Sequence, residues 1–225
     1  RTLGNMRHLK RSAAGGLLGM LVAGTSAGAM AAGDLDTEAL QARAQALTER
    51  PEALAEARRA GGERAAFCKT CHGSDGISTR PWIPNLAGQN LDYLVEQIVA
   101  YASGAREDYV RNQLAASFRP RDVINLSVFY ASMPNEQFPD PADPERTRVG
   151  KEYYAAVCQA CHGADGRGEQ GYSWLAGQKP EYIRRALKRY RDRSGGRLDP
   201  TMAAVTHKLS DAEIDSLAAY ISTMR

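Results

Sequence analysis

Two short runs in the chain pair thiols with an imidazole: Cys68-Lys69-Thr70-Cys71-His72 and Cys158-Gln159-Ala160-Cys161-His162. Together they use all four cysteines. Thiols at this spacing can form a redox disulfide, supply half of a zinc site, or add to the two vinyl groups of a haem. The following residue separates these chemistries. C-x-x-C-H is the attachment pattern of c-type haem, in which the adjoining His lies under the ring and offers an axial nitrogen to iron. A zinc site built from all four thiols would leave both histidines unexplained. The spacing therefore predicts two covalently attached haem c groups. Cys68, Cys71, Cys158 and Cys161 are the attachment points, and His72 and His162 the proximal iron ligands.

The similarity between the two runs extends well beyond them. Cys71-His72-Gly73-Ser74-Asp75-Gly76 matches Cys161-His162-Gly163-Ala164-Asp165-Gly166, and Leu86-Ala87-Gly88-Gln89 matches Leu175-Ala176-Gly177-Gln178. Ser103-Gly104-Ala105-Arg106 resembles Ser194-Gly195-Gly196-Arg197. Asp122-Val123-Ile124-Asn125-Leu126 aligns with Glu213-Ile214-Asp215-Ser216-Leu217. The chain is a duplicated unit of about 80–90 residues. A linker from Pro134 to Pro144, with four prolines, joins the copies and is a poor helix.

Each copy must hold its Cys pair on helices. A short helix enters each pair. A second is expected from about Asn90 to Ser103 and from Pro180 to Arg193. The last is expected from about Pro120 to Ser132 and from Asp211 to Thr223. Pro120 suits a first helical turn. Ser210, with Glu213 three residues on, forms a capping box. No stretch alternates as a strand would.

These elements resemble the dihaem cytochrome c4 family, two class I cytochrome c folds in tandem. The resemblance covers roughly Gly61 to Arg225. It implies an all-α protein that passes single electrons between a respiratory or dehydrogenase donor and an acceptor such as a haem-copper oxidase. It also implies a Met thioether as the second axial ligand, from the loop before the last helix. In the second unit Met202 matches that position, with simple core packing as the alternative. His207 lies close by and reads as a surface or supporting group.

The first unit departs from the pattern. Alignment on the last helix puts Arg111 opposite Met202. Met133 aligns with Met224 and reads as packing. The first haem is then open to a small ligand, held by a weaker local group or water, or served by Met133 after a loop shift; a purely relaying haem is the plain alternative. Pro84 in the first unit and Ser173 in the second stand where the fold uses a backbone carbonyl to accept the proximal His N–H. Trp82, Trp174, Tyr101, Phe129, Tyr153, Tyr154 and Tyr190 are candidate haem-packing aromatics, or ordinary core.

Charge and composition narrow the setting. The chain has 225 residues, 43% hydrophobic and 24% charged, as a folded protein should. Its net charge of +3 suggests an anionic partner such as nucleic acid or a membrane surface. Residues 1–31 remove that suggestion. Arg7, His8, Lys10 and Arg11 precede an apolar Gly/Ala-rich stretch, and Ala29-Met30-Ala31 is a small-x-small site, the pattern of a cleaved export signal. Met6 reads as its start. Removal takes four of the 29 basic side chains and no acid, so 25 basic face 26 acidic residues. Nucleic acid is excluded as a partner, and membrane association is at most peripheral. The protein is expected in the periplasm.

The expected division is 1–31 signal, 32–60 helical extension, 61–137 first haem domain and 138–225 second. The extension has leucines among good helix formers, with a break at Pro51. It either packs on the first domain or docks a partner. The basic run Arg184, Arg185, Lys188, Arg189, Arg191 and Arg193 is a solvated helix or, less simply, a docking patch. Two other classes remain: a haem enzyme or ligand-binding protein using an open first haem, and a subunit of a larger redox complex.

Overall fold

The computed structural model describes residues 35–135, 142–168, 170–197 and 199–225. The segment read as a signal and the middle of the Pro-rich linker lie outside the described residues. Eleven α-helices follow in order among the described residues: α1 (Thr37–Thr48), α2 (Pro51–Arg64), α3 (Lys69–His72), α4 (Leu91–Ser103), α5 (Tyr109–Ala115), α6 (Pro120–Ala131), α7 (Pro144–Tyr153), α8 (Gln159–His162), α9 (Pro180–Arg191), α10 (Pro200–Thr206) and α11 (Asp211–Thr223). No strand occurs among the described residues. A π-helical turn, Tyr154–Cys158, carries α7 into α8.

The same five-helix unit occurs twice, as α2 to α6 and as α7 to α11. In each, the entering helix crosses the last one: α2 on α6 and α7 on α11. The crossings are tight because a glycine sits at each. A Cβ on Gly61 would lie 2.1 Å from the carbonyl oxygen of Asn125, and one on Gly150 2.0 Å from that of Ser216. Only a residue without a side chain lets the two backbones approach this closely.

Pro51 starts α2 in the first helical position, where its missing N–H is not needed, and Arg50 before it is extended. The boundary expected before Gly61 lies within α2, which packs on α6. The extension proper is α1. Its Leu40 and Ala44 are buried with Val95, Val123, Ile124 and Val128 of α4 and α6. Gln41 and Gln45 fix its register by donating to the Asp92 carbonyl and carboxylate, both at 3.0 Å.

The second unit has no such cover, and its surface chemistry differs accordingly. Val95 and Ile124 of the first unit correspond to Arg184 and Asp215 of the second. The first pair is buried beneath α1, whereas the second forms a part-exposed ion pair at 2.9 Å. Lys188 and Arg191 likewise pair with Asp211, at 2.8 and 2.7 Å. Much of the basic run on α9 is thus spent on α11 and on the helix itself. The remaining core of the second unit joins Tyr154, Ile183, Leu187, Ile214, Leu217 and Ile221.

Candidate haem sites

In each unit one helical turn presents the thiols. The Cys68 carbonyl accepts from the backbone N–H of Cys71 (3.2 Å) and His72 (3.0 Å), which winds both thiols and the imidazole onto α3. Gly73, at φ +84°, ends the turn; Gly163 does so in the second unit at φ +78°. All four cysteine side chains are part-buried. Before haem is attached, burial pushes the Cys158 thiol up to about 11.

The imidazoles of His72 and His162 are both buried, with 8% exposure each. His72 Nδ1 donates to the Pro84 carbonyl at 2.9 Å, and His162 Nδ1 to the Ser173 carbonyl at 3.0 Å. Serine serves in the second unit as proline does in the first because the accepting atom is main chain. These bonds set the tautomer and leave each Nε2 with its lone pair. Burial pushes His72 down to about 4, outweighing the bond to Pro84, and lowers His162 in the same way. A neutral, oriented imidazole is the form that binds iron.

The Leu-Ala-Gly-Gln segments close the loops around these histidines. Leu86 and Ala87 donate to the Gly76 carbonyl at 2.8 and 3.2 Å; Leu175 and Ala176 donate to that of Gly166 at 2.7 and 3.0 Å. Met133 and Met224 pack on these same glycines. A Cβ on Gly76 would lie 2.8 Å from the Met133 sulfur, and one on Gly166 2.8 Å from Met224 Cε. Met133 is committed to its own loop, as the sequence alignment with Met224 implies.

The helices α5 and α10 pack on α4 and α9 and precede the last helix of each unit. Each has seven residues and starts on an aspartate whose carboxylate caps the third residue. Asp108 accepts from Arg111 N at 3.0 Å, and Asp199 from Met202 N at 2.7 Å. Arg111 and Met202 are therefore equivalent in three dimensions. Met202 packs part-buried against the second core. His207 is exposed, and its Nδ1 donates to the Ala204 carbonyl.

Two residues not singled out as site residues complete the picture. Arg106 and Arg197 occupy equivalent places between the units, and neither has a carboxylate partner among the described residues. Arg197 donates to the hydroxyls of Tyr182 (2.6 Å) and Tyr190 (2.8 Å), and Arg106 reaches Tyr182 at 3.5 Å. Their guanidinium groups stack on Tyr190 and Tyr101 at 5.0 and 4.5 Å. Against the upward push of burial, Arg197 and Arg106 draw the Tyr182 phenol down to about 7. Arg197 is 6% exposed and Arg106 half-buried; a buried cation without an anion costs several kcal/mol, so the pair suits negative groups. Haem propionates answer that demand, and the residues fit two haems. The signal was present in the sequence: each Arg closes a Ser-Gly-x-Arg repeat.

The candidate aromatics divide. Tyr154 is core, donating to the Gly163 carbonyl at 2.7 Å. Trp82 is 47% exposed, with the Arg185 guanidinium 5.8 Å from its ring. Tyr153 donates to Glu213. Phe129 packs edge-on to Tyr130.

The units are joined by reciprocal bonds. Gln89 exchanges two hydrogen bonds with the main chain of Trp174 (2.6 and 2.9 Å), and Gln178 exchanges two with that of Asn85 (2.8 and 3.0 Å). Gln89 matches Gln178, and Asn85 matches Trp174, so the contact is approximately two-fold symmetric.

Two helical units, each presenting two thiols, a buried carbonyl-anchored imidazole and a propionate-ready arginine, define a class I c-type cytochrome in tandem form. Comparisons with known proteins agree. The cytochrome c family profile matches residues 148–225. A cytochrome c4 of Azotobacter vinelandii is 30% identical, over 72% of this chain and 86% of that protein. A thiosulfate dehydrogenase electron acceptor of Thiomonas intermedia is 30% identical, over 70% of this chain and 78% of its own. The crystal structure of reduced cytochrome c4 from Pseudomonas stutzeri superposes with a TM-score of 0.69 at 26% identity, covering 74% of this chain and 98% of that one. The chain belongs to the cytochrome c4 family. It is an electron-transfer cytochrome with two covalent haem c groups, one on Cys68 and Cys71 and one on Cys158 and Cys161.

Proposed function

We propose that the protein is a periplasmic electron shuttle in which His72 and His162 are the proximal ligands and Met202 is the distal ligand of the second haem. Residues 1–31 act as its export signal, and each half of the remainder, divided at about residue 138, carries one haem. The observation that carries this reading is the pair of buried imidazoles, each tied through Nδ1 to a main-chain carbonyl with Nε2 free. Each haem iron supplies a one-electron couple. The protein's own groups orient the imidazoles and exclude water around them, and Arg106 and Arg197 would offer cations to haem propionates.

The partners are redox proteins: a respiratory chain component or periplasmic dehydrogenase as donor, and a haem-copper oxidase or similar acceptor. The likeness to a thiosulfate dehydrogenase electron acceptor favours a dehydrogenase on the donor side. No helix among the described residues is long and apolar enough to cross a membrane.

The test is a redox titration of the purified holoprotein and its Met202→Ala variant. Met ligation raises a haem potential. The variant should lose one weak near-infrared-edge band of Met–haem ligation, and one of two potentials should fall. Two unchanged potentials would remove Met202 from the ligand set.

A further inference from the structure

The first haem site has an arginine where the second has its methionine. Arg111 and Met202 are each the third residue of a seven-residue helix begun by a capping aspartate. Arg111 does not turn away into solvent. Its side chain is 30% exposed, its Nη1 binds Asp108 Oδ2 at 2.6 Å, and its guanidinium lies 5.7 Å from the Tyr101 ring centre. Arg111 thus stands in the first unit at the place that Met202 holds in the second.

Nothing else in the first unit takes the ligand place. The four cysteines are used for attachment, and no histidine besides His72 lies between residues 32 and 157. Met133 is packed on Gly76. The loop is also held against rearrangement. Asn112 accepts from Asp108 N at 2.7 Å and donates to the carbonyls of Tyr101 (2.6 Å) and Arg106 (2.8 Å), so its amide is fully engaged. A guanidinium stays protonated in proteins and offers no lone pair to iron. It does bind small anions strongly in a partly buried setting, through charge-assisted hydrogen bonds.

We propose that the first haem carries an exogenous-ligand site for a small inorganic anion, such as azide, cyanide, nitrite or hydrosulfide, with Arg111 as its anchoring cation and Asp108 holding that cation in place. The site rests on His72 as proximal ligand and adds a binding role to one half of an electron carrier. A neutral ligand such as carbon monoxide would use the same opening but gain little from Arg111, whose contribution is charge.

The experiment uses the full holoprotein, with haem counted as the pyridine haemochrome and the oxidised protein followed by optical and EPR spectroscopy. Wild type should hold two haems, one low-spin with the Met band and one with a high-spin component. Azide should convert only the second of these to low spin, saturably. In Arg111→Leu the azide Kd should rise at least tenfold, while carbon monoxide affinity of the reduced protein changes less than threefold. In Arg111→Met the high-spin component should disappear, a second Met band should appear, and azide binding should be lost. Two low-spin haems in wild type, indifferent to azide, would overturn the proposal, as would an azide affinity unchanged in Arg111→Leu. Failure of the underlying assignment looks different: it would appear as loss of the Met–His signature from the second haem or a count below two.

Discussion

Glu213 gathers three donors at the start of α11. It accepts from the Ser210 backbone N–H at 2.6 Å, from the Ser210 hydroxyl at 2.8 Å, and from the Tyr153 hydroxyl of α7. The capping box therefore also pins the helix that crosses α11. The bonds from Tyr153 and Ser210 hold the Glu213 carboxyl below its ordinary value of 4.5. A depressed folded value means that the stabilisation is complete above pH 4.5 and is lost as pH falls through the lower folded value. Glu213→Gln should therefore unfold more easily than wild type at neutral pH, and the gap should close in strong acid. Denaturant unfolding at a series of pH values measures this; a gap constant with pH would remove the carboxylate's role. Elsewhere at this scale, one substitution separates the two haem environments. Arginine at 111 and methionine at 202 share a backbone setting, yet one side chain offers a cation and the other a soft lone pair.

Helix pairs set the distances on which both sites depend. α2 on α6 and α7 on α11 close each unit through glycine crossings, and the turns bearing the cysteines leave directly from the far ends of α2 and α7. Gly150→Ala would drive a methyl group into the Ser216 carbonyl, which is backbone and cannot swing aside. We expect a loss of about 1–3 kcal/mol in chemical denaturation, as for other overpacked contacts. An unchanged midpoint would mean that the crossing has room to spare. The same scale explains the chain's charge asymmetry. Where α1 covers α4 and α6, the covered positions are apolar; where α9 and α11 face water, the equivalent positions are ionic. The basic helix and the N-terminal extension are two solutions to one exposed face.

Across the whole molecule, the two units act as one body only if their contact persists. Gln89 and Gln178 supply its symmetric part, and Arg106, Arg197 and Tyr182 its charged part. Each glutamine satisfies both an N–H and a carbonyl of the facing main chain, and removing it leaves those groups unpaired at about 1–3 kcal/mol apiece. The double variant Gln89→Ala/Gln178→Ala should keep both haems but lose cooperativity. A single thermal transition in the wild type should separate into two, read by calorimetry. One sharp transition in the variant would show that the glutamines do not couple the units.

The duplication, the attachment cysteines, the histidine beside each pair and the capped last helices were legible because each depends on local spacing: i, i+3 thiols, a following imidazole, Ser210 three residues before Glu213. Met202 and the anomaly at Arg111 were legible only through the repeat, which let one half serve as the ruler for the other. The tertiary structure decided what spacing cannot encode. It set α1 on the first unit, engaged basic charges of α9 with Asp211 and Asp215, and packed α2 on α6. It also brought Arg106 and Arg197 together between the units and paired Arg111 with Asp108. Each of these outcomes depends on contacts between residues distant in the chain. A residue's type states what it can bond to, and only packing determines which partner it meets.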